Sequence, residues 1–596
     1  MKQQVPRRSI QYSTCTVATS CALLLGGWFA PPAAAAVLES GDVVNIVGPP
    51  AQWIIGDTGI GQATINGGTS SSRNVVLVGN QATGDGTLNV DGVGSQLYTL
   101  GDIQIGLNGL GNMTVSGGAT VFTNQYLDGG FTRDGIVEIG RNGTGELTVT
   151  GTDSWVNSTG DVPASIGSFG NGTLHVESGA RFATANSLSV GVGGGTGIAN
   201  INGGTLEIAE FLYLANSDIG TATLNVTNGA HVSTGSLAEI GGFGSGELNV
   251  SASTMQVGFN RRAGFTGTDG QGTVRLTEGA DVIVNNSADI GGTADGTLEV
   301  SASKLEIGGQ LSVGVYSGDS LGTANLTNGA EVIVHGFRAE VGGSGVGTMN
   351  IIGSKLSIPN GDFYAGLDFG EPVTGKLATT VSISAGSTLD AADDFYVAFG
   401  AHQAIVTVTD ADTTINIGDR LHIAWDNYNQ GVADGTLLVG RGAVINALEL
   451  APGEGDGGLL LAKFAGDQAT LGFIIGDDGT GQTAGGLINT SKFNFGAGTA
   501  TFGLTVDDGT TLTIGDSFTL IDYANWDNKL FSNMADDGLF VAGDYEFLIN
   551  YDDDLGSGNL ALTATVVSAI PEPTSLALLA VGSLAALSFY RRRRAV

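Results

Sequence analysis

Between Gly296 and Leu321 the sequence GTLEVSASKLEIGGQLSVGVYSGDSL carries three short apolar pairs: Leu298 with Val300, Leu305 with Ile307, and Leu311 with Val313. One residue separates the members of each pair, the period of a strand with one face buried and the other wet. Gly and Ser fill the intervals as corners. The stretch from Gly322, GTANLTNGAEVIVHGFRAEVGGSGV, repeats the layout, and a third copy opens at Gly347 with GTMNIIGSKLSI. The period of this tandem repeat is about 25 residues. A lone turn buries too few side chains to offset the ordering of its backbone, so the turns must stack, each pairing its backbone groups with the turns above and below. The pattern predicts an all-β parallel β-helix.

The first-strand motif recurs as GTLNV at Gly86, GNMTV at Gly111, GELTV at Gly145, GTLHV at Gly172, GIANI at Gly197, ATLNV at Ala222, GELNV at Gly246 and GTVRL at Gly272. It continues more loosely as AIVTV at Ala404 and GTLLV at Gly435. Longer intervals before Gly145, after Gly347 and before Gly435 mark loops that bulge from the coil. Turns such as SGGA, TNGA, TEGA and SAS follow each first strand, and third strands mostly end in IG or VG, as at Ile105, Ile139, Ile166, Ile240, Ile290 and Val341. Glycine at these corners permits a positive φ. The expected solenoid spans residues 37–452, with a ragged capping turn up to Asp85, about 13 or 14 turns and a length of roughly 65 Å. Gly453 to Gly458, GEGDGG, breaks the register. Beyond it, residues 453–566 hold larger side chains, among them Phe493, Phe518, Tyr523, Trp526, Phe531 and Tyr551, and read as a wider β cap that closes the coil.

Composition agrees with a large, corner-rich core. The chain has 596 residues, of which 99 are Gly, with 41% hydrophobic and only 14% charged residues. The glycines follow neither a collagen period nor a disordered tract. Net charge is −35 and, without Lys2, Arg7, Arg8 and Arg591 to Arg594, more negative still, which excludes a nucleic-acid partner. Cys15 and Cys21 are the only cysteines, both in the leader, so no disulfide, thiolate nucleophile or thiolate metal site is expected in the body.

Both ends read as addresses. Residues 1–36 have a basic start, the apolar run VATSCALLLGGWFA and an A-x-A site at Ala34 to Ala36, the layout of a signal peptide cut by signal peptidase after export. Arg7-Arg8 lacks the apolar pair expected of the twin-arginine route. At the other end, Pro571-Glu572-Pro573 precedes TSLALLAVGSLAALSFY and then Arg591, Arg592, Arg593 and Arg594. As a helix, 574–590 would be about 25 Å long, enough to enter a bilayer with the arginines held on the cytoplasmic side. Residues 567–596 resemble the PEP-CTERM sorting signal of Gram-negative bacteria. The resemblance implies recognition by an exosortase, a membrane transpeptidase, cleavage close to Pro571–Pro573, transient anchoring in the inner membrane and an exopolysaccharide-producing, biofilm-forming setting. The body resembles autotransporter-associated β-strand repeat proteins, and GDSFTLIDYANWDNKLFSN with YEFLINYDDDLGSGNLALTATVV resembles their closing segment. The expected helical end leaves too few strands for an outer-membrane barrel.

Candidate chemistry is sparse. Asp393, Asp394 and Asp412 could approach one another on stacked turns, as a glycosidase carboxylate pair would require, but Asp-Asp pairs also occur at Asp477, Asp507 and Asp536, beside Gly, where turns explain them. His175, His231, His335, His402 and His422 show no metal-ligand spacing. Asp552 to Asp554 with Gly556 and Gly558 could hold Ca²⁺ but lack the trailing Glu of an EF-hand. The N-x-S/T triplets at Asn112, Asn142, Asn171, Asn225, Asn249 and Asn325 follow from the repeat. The expectation is therefore a non-enzymatic structural repeat protein of the cell surface or extracellular matrix, without cofactor or metal. Exopolysaccharide or other surface glycans would be its partners, through outward ladders such as those of Thr297 and Glu299. A β-helix polysaccharide lyase or glycosidase, or a specific adhesin, is the alternative.

Overall fold

Three strands make one coil. A computed structural model describes residues 36–46 and 51–570 apart from 125, 129–130, 134, 218, 259–269, 293, 316–319, 369–377, 401, 427–431, 448–457, 479–481 and 555–558. In the coil that opens at Asp295 the strands are Asp295–Ser301, Lys304–Ile307 and Leu311–Val313. Each pairs in parallel with its counterpart in the next coil, through Leu298↔Ala324, Leu305↔Val332 and Leu311↔Ala339. The six apolar residues of this coil are all 0% exposed, so the period-2 pattern and the inward face coincide. The three strand positions stack into three walls around one continuous core.

The parallel solenoid has about 14 turns, as expected. Its first wall runs unbroken from Ile60–Asn66 to Thr499–Val506. Stacking does not stop at the GEGDGG interruption: Gln468–Asp477 and Thr499–Val506 join the first wall in parallel through Leu437↔Leu471 and Leu471↔Phe502. Leu487–Phe495 straightens a corner and pairs with both other walls, through Ile445↔Ile488 and Leu459↔Phe493.

Two corners recur. Between the first and second walls, Asn328 (φ +56°) and Gly329 (φ +79°) form a tight turn of two left-handed residues, which explains the TNGA and TEGA motifs. Between the third and first walls the Gly of the IG motif is left-handed, as at Gly167 (φ +68°), and its N–H donates to Ile139 O of the preceding coil at 2.7 Å.

Both ends of the first wall are covered. Ala36–Gly41 folds back antiparallel on Ile60–Asn66, and Val43–Ile46 does the same on Gln52–Ile55 of the third wall. At the far end, Ser532 N–H donates to Ala500 O at 2.8 Å. The Asn533 side-chain amide accepts from Phe502 N and donates to Phe502 O, both at 2.8 Å. The second wall passes into an antiparallel unit of Ser517–Trp526, Leu560–Ala569, Tyr545–Asp554 and Gly538–Ala542. Phe493, Phe502, Tyr523, Phe531 and Tyr551 are buried in this end of the core.

No helix forms among the described residues. The expected helix 574–590, the motif residues Pro571, Glu572, Pro573 and Arg591 to Arg594, and Ala34 of the cleavage site lie outside them; Ala36 opens the first strand.

Candidate functional site

The outer wall faces carry ladders of like side chains. On the first wall Asn225 Nδ2 donates to Asn200 Oδ1 at 2.9 Å and Asn249 Nδ2 to Asn225 Oδ1 at 3.0 Å. Asn350 continues to Asn325 at 2.8 Å. These amides satisfy one another, which gives Asn225, Asn249 and Asn325, three of the N-x-S/T asparagines, a structural use. Between the runs Arg275 bridges Glu247 and, at 2.8 Å, Glu299. Thr297 and Glu299 are half-buried on this outward face. On the second wall Asn416 donates to Asp390 (2.8 Å), Asn446 to Asn416 (2.9 Å) and Asn489 to Asn446 (2.9 Å). A groove of about 530 Å³ follows this ladder, lined by Ser357, Asp390, Asn416 and Asn446 and by apolar residues that include Ile358, Pro359 and Ile417.

The third wall changes character beside that groove. Its strands are three or four residues long in early coils, as in Val75–Val78 and Ile103–Ile105, but lengthen to Asp362–Asp368, Phe395–Gly400 and Arg420–Trp425. Tyr364, Tyr396 and His422 stand in register on its outer face and stack, with centroids 4.7 and 4.6 Å apart and planes within 3° and 12° of parallel. Phe399 packs edge-on against Tyr396 at 5.1 Å and Trp425 against His422 at 4.2 Å.

Each tyrosine is tied to the aspartate two residues before it. Tyr364 donates to Asp362 Oδ2 at 2.8 Å and Tyr396 to Asp394 Oδ2 at 2.6 Å. The other carboxylate oxygens accept backbone N–H groups of the following coil, from Asp394 to Asp362 Oδ1 at 3.0 Å and from Arg420 to Asp394 Oδ1 at 3.1 Å. Asp362, Asp393 and Asp394 thus bring carboxylate oxygens within 4.8 Å of one another. Burial, and then the neighbouring carboxylates, raise the pKa of Asp362 and Asp393. Burial also raises both tyrosines and lowers His422, against the opposing pull of the Asp394 carboxylate.

Asp393 and Asp394 are neighbours, as the sequence allowed, but Asp412 sits at the corner between the first and second walls (φ +63°). Their third companion is Asp362, which sequence reasoning missed. Its signal was present: DFYAGLDFG at Asp362 and DFYVAFGAH at Asp394 are a repeat within the repeat, followed by RLHIAW at Arg420. The other histidines are dispersed. His175 lies 3.8 Å from Glu146, His231 contacts Thr254 at 2.8 Å, His335 lies 3.7 Å from Glu306 and His402 contacts Thr379 at 2.8 Å. Asp553 accepts from Asn550 at 2.9 Å and from Thr563, while Gly556 and Gly558 of the calcium reading lie outside the described residues.

Glu340, 1% exposed one coil before Tyr364, accepts from Ser312 at 2.7 Å and pairs with Arg338 at 3.2 Å. Burial outweighs both and raises its pKa, with Asp289 adding to the rise. The folded state therefore binds this proton more tightly than the unfolded chain. The linked stability rises as pH falls through the raised value and levels off below the unfolded carboxylate pKa. Glu340→Gln is expected to be more stable than the parent at neutral pH and to lose that advantage near about pH 4. Denaturation midpoints at the two pH values check it.

The stacked walls make the body a β-solenoid protein. Residues 569–594 match the PEP-CTERM protein-sorting motif, so the chain carries that signal at its C-terminal end. The motif implies export to the cell surface and processing by exosortase-type machinery. No curated protein matches the chain.

Proposed function

We propose that the protein is a non-catalytic structural element of the bacterial cell surface or extracellular matrix, whose outer walls hold exopolysaccharide by many weak contacts. The observation that carries this reading is the set of asparagine ladders, Asn200–Asn225–Asn249 and Asn416–Asn446–Asn489. A row of identical groups at the strand spacing of about 4.8 Å offers the same hydrogen-bonding face to each successive part of a polymer. Affinity then comes from the number of rows engaged and not from one pocket. The groove along Ser357, Asp390, Asn416 and Asn446 favours a second reading, an adhesin with one concentrated patch.

Incubation of the purified body with neutral and acidic polysaccharides tests the first reading. Co-sedimentation with polymer, without new reducing ends or unsaturated sugars, is the expected result. Steady turnover would replace it with a carbohydrate-active enzyme, and glycan-array binding lost on altering the groove alone would favour the adhesin.

A further inference from the structure

We propose that the outer face of the C-terminal antiparallel unit lies on a lipid bilayer surface for as long as the tail is uncut. Along Gly538–Ala542, Phe540 and Ala542 turn inward, Phe540 against Phe502 at 5.3 Å, while Leu539 and Val541 turn outward and are 58% and 57% exposed. Leu539 pairs with Leu548 and Val541 with Glu546, so both apolar side chains lie on the face opposite the buried Phe547 and Ile549. Val567, the extra residue between Val566 and Ser568 of the neighbouring strand, is exposed beside them. So is Ile514, one residue before the Gly515 N–H that donates to Val566 O at 2.9 Å. Glu546 shares this face and accepts from Ser568 Oγ at 2.8 Å. Exposed apolar side chains gathered on one sheet face mark a contact surface.

The course of the chain names the occupant. The final strand, Leu560–Ala569, runs directly into the sorting motif at residues 569–594, and Ile570 N–H donates to Asp544 O at 2.6 Å. Tyr545 pairs with Ala569 and Glu546 with Ser568, so the row of Val541, Glu546 and Ser568 stands next to the point where the tail departs. From Ile570 to Thr574, where the uncharged run 574–590 begins, is four residue steps, at most about 14 Å of extended chain. The headgroup layer on each side of a bilayer is itself about 5–8 Å deep. With 574–590 in the hydrocarbon, this end of the sheet is held at the headgroups, where Leu539 and Val541 gain by leaving water. The inference rests on the reading of 574–590 as a bilayer-entering span.

The test places the full chain from Val37 onward in phosphatidylcholine vesicles, because the acidic body repels anionic lipid. Cys15 and Cys21 both lie in the leader, so Val541→Cys supplies a single site for an environment-sensitive fluorophore. Ile283→Cys, at an exposed position on a middle coil, is the control. Both alter exposed side chains, and circular dichroism verifies the fold. The expected result is blue-shifted emission from the label at position 541, lost on adding spin-labelled lipid, and water-like, unquenched emission from the label at position 283. Flotation of the vesicles after an alkaline wash reads the tail separately. A chain that stays with the vesicles while its label at position 541 emits as in water overturns the proposal alone. A chain that washes off overturns the reading of the tail and the proposal with it. A shift that follows protein density and ignores the lipid quencher marks contact between copies, and overturns the proposal as well.

Discussion

Replacing Gly167 with valine is expected to destabilise the solenoid by about 4 kcal/mol or more, among the largest effects a single substitution produces. The residue turns the chain from the third wall to the first with φ +68°, a conformation that costs an L-residue roughly 1–2 kcal/mol and a β-branched one more. The larger part is collision. A Cβ here would stand 2.1 Å from Thr196 O and 2.4 Å from Thr196 C, backbone atoms already fixed by pairing between coils. Relief requires the neighbouring coil to move, by enough for a methyl group where Ala215 stands and by more for a branched side chain. Gly229 is the control, since its φ is +74° but nothing lies within 4 Å of its Cβ position, so Gly229→Val should show the conformational cost alone. Valine is needed because Ala215 occupies the equivalent corner of another coil at φ +54°, which shows that one methyl group can be fitted. Denaturation midpoints of the two variants decide the matter. Equal shifts would mean that the close approach relaxes at little cost.

Loss of the tail signal is the second large effect, and it is all or none. The motif at residues 569–594 implies processing by exosortase-type machinery. In cells with the processing enzyme, the mature protein is expected to end close to Pro571–Pro573. Replacing Pro571 and Pro573 with alanine, or deleting Arg591 to Arg594, should leave it full-length at that end and retained with the membrane fraction. Intact-mass measurement of each variant, from cells with and without the enzyme, reads the outcome directly. A parent protein that keeps Arg591 to Arg594 in enzyme-containing cells would sink the expectation.

The repeat was legible because one short pattern had to serve every coil. Leu298, Val300, Leu305, Ile307, Leu311 and Val313 alternate with polar residues, and burial alone forces that alternation onto one interior face. The glycine corners were legible for the same reason. The acidic and aromatic cluster was harder to see because its members are remote in sequence. Asp362 and Asp394 meet only through the Phe363↔Phe395 register, which depends on how much chain each coil expels as loops. Sequence periodicity does not count those residues. Asp412 is the wrong companion because the first and second turns of a coil look alike on paper, although they lie at different corners: Asp412 between the first and second walls, Asp393 and Asp394 between the second and third. At the far end GEGDGG interrupts the pattern, yet Leu471 and Phe502 resume the first wall beyond it.

The covered ends of the first wall have a consequence for how such a chain can change over generations. Ala36–Gly41 closes one end and Ser532 with Asn533 the other, and neither contacts the middle coils. Duplicating or excising one repeat would lengthen or shorten the body by about 4.8 Å while leaving both lids intact. The molecule is in effect a ruler whose graduations are set by gene copying, and its reach from the cell can drift without any new fold being invented.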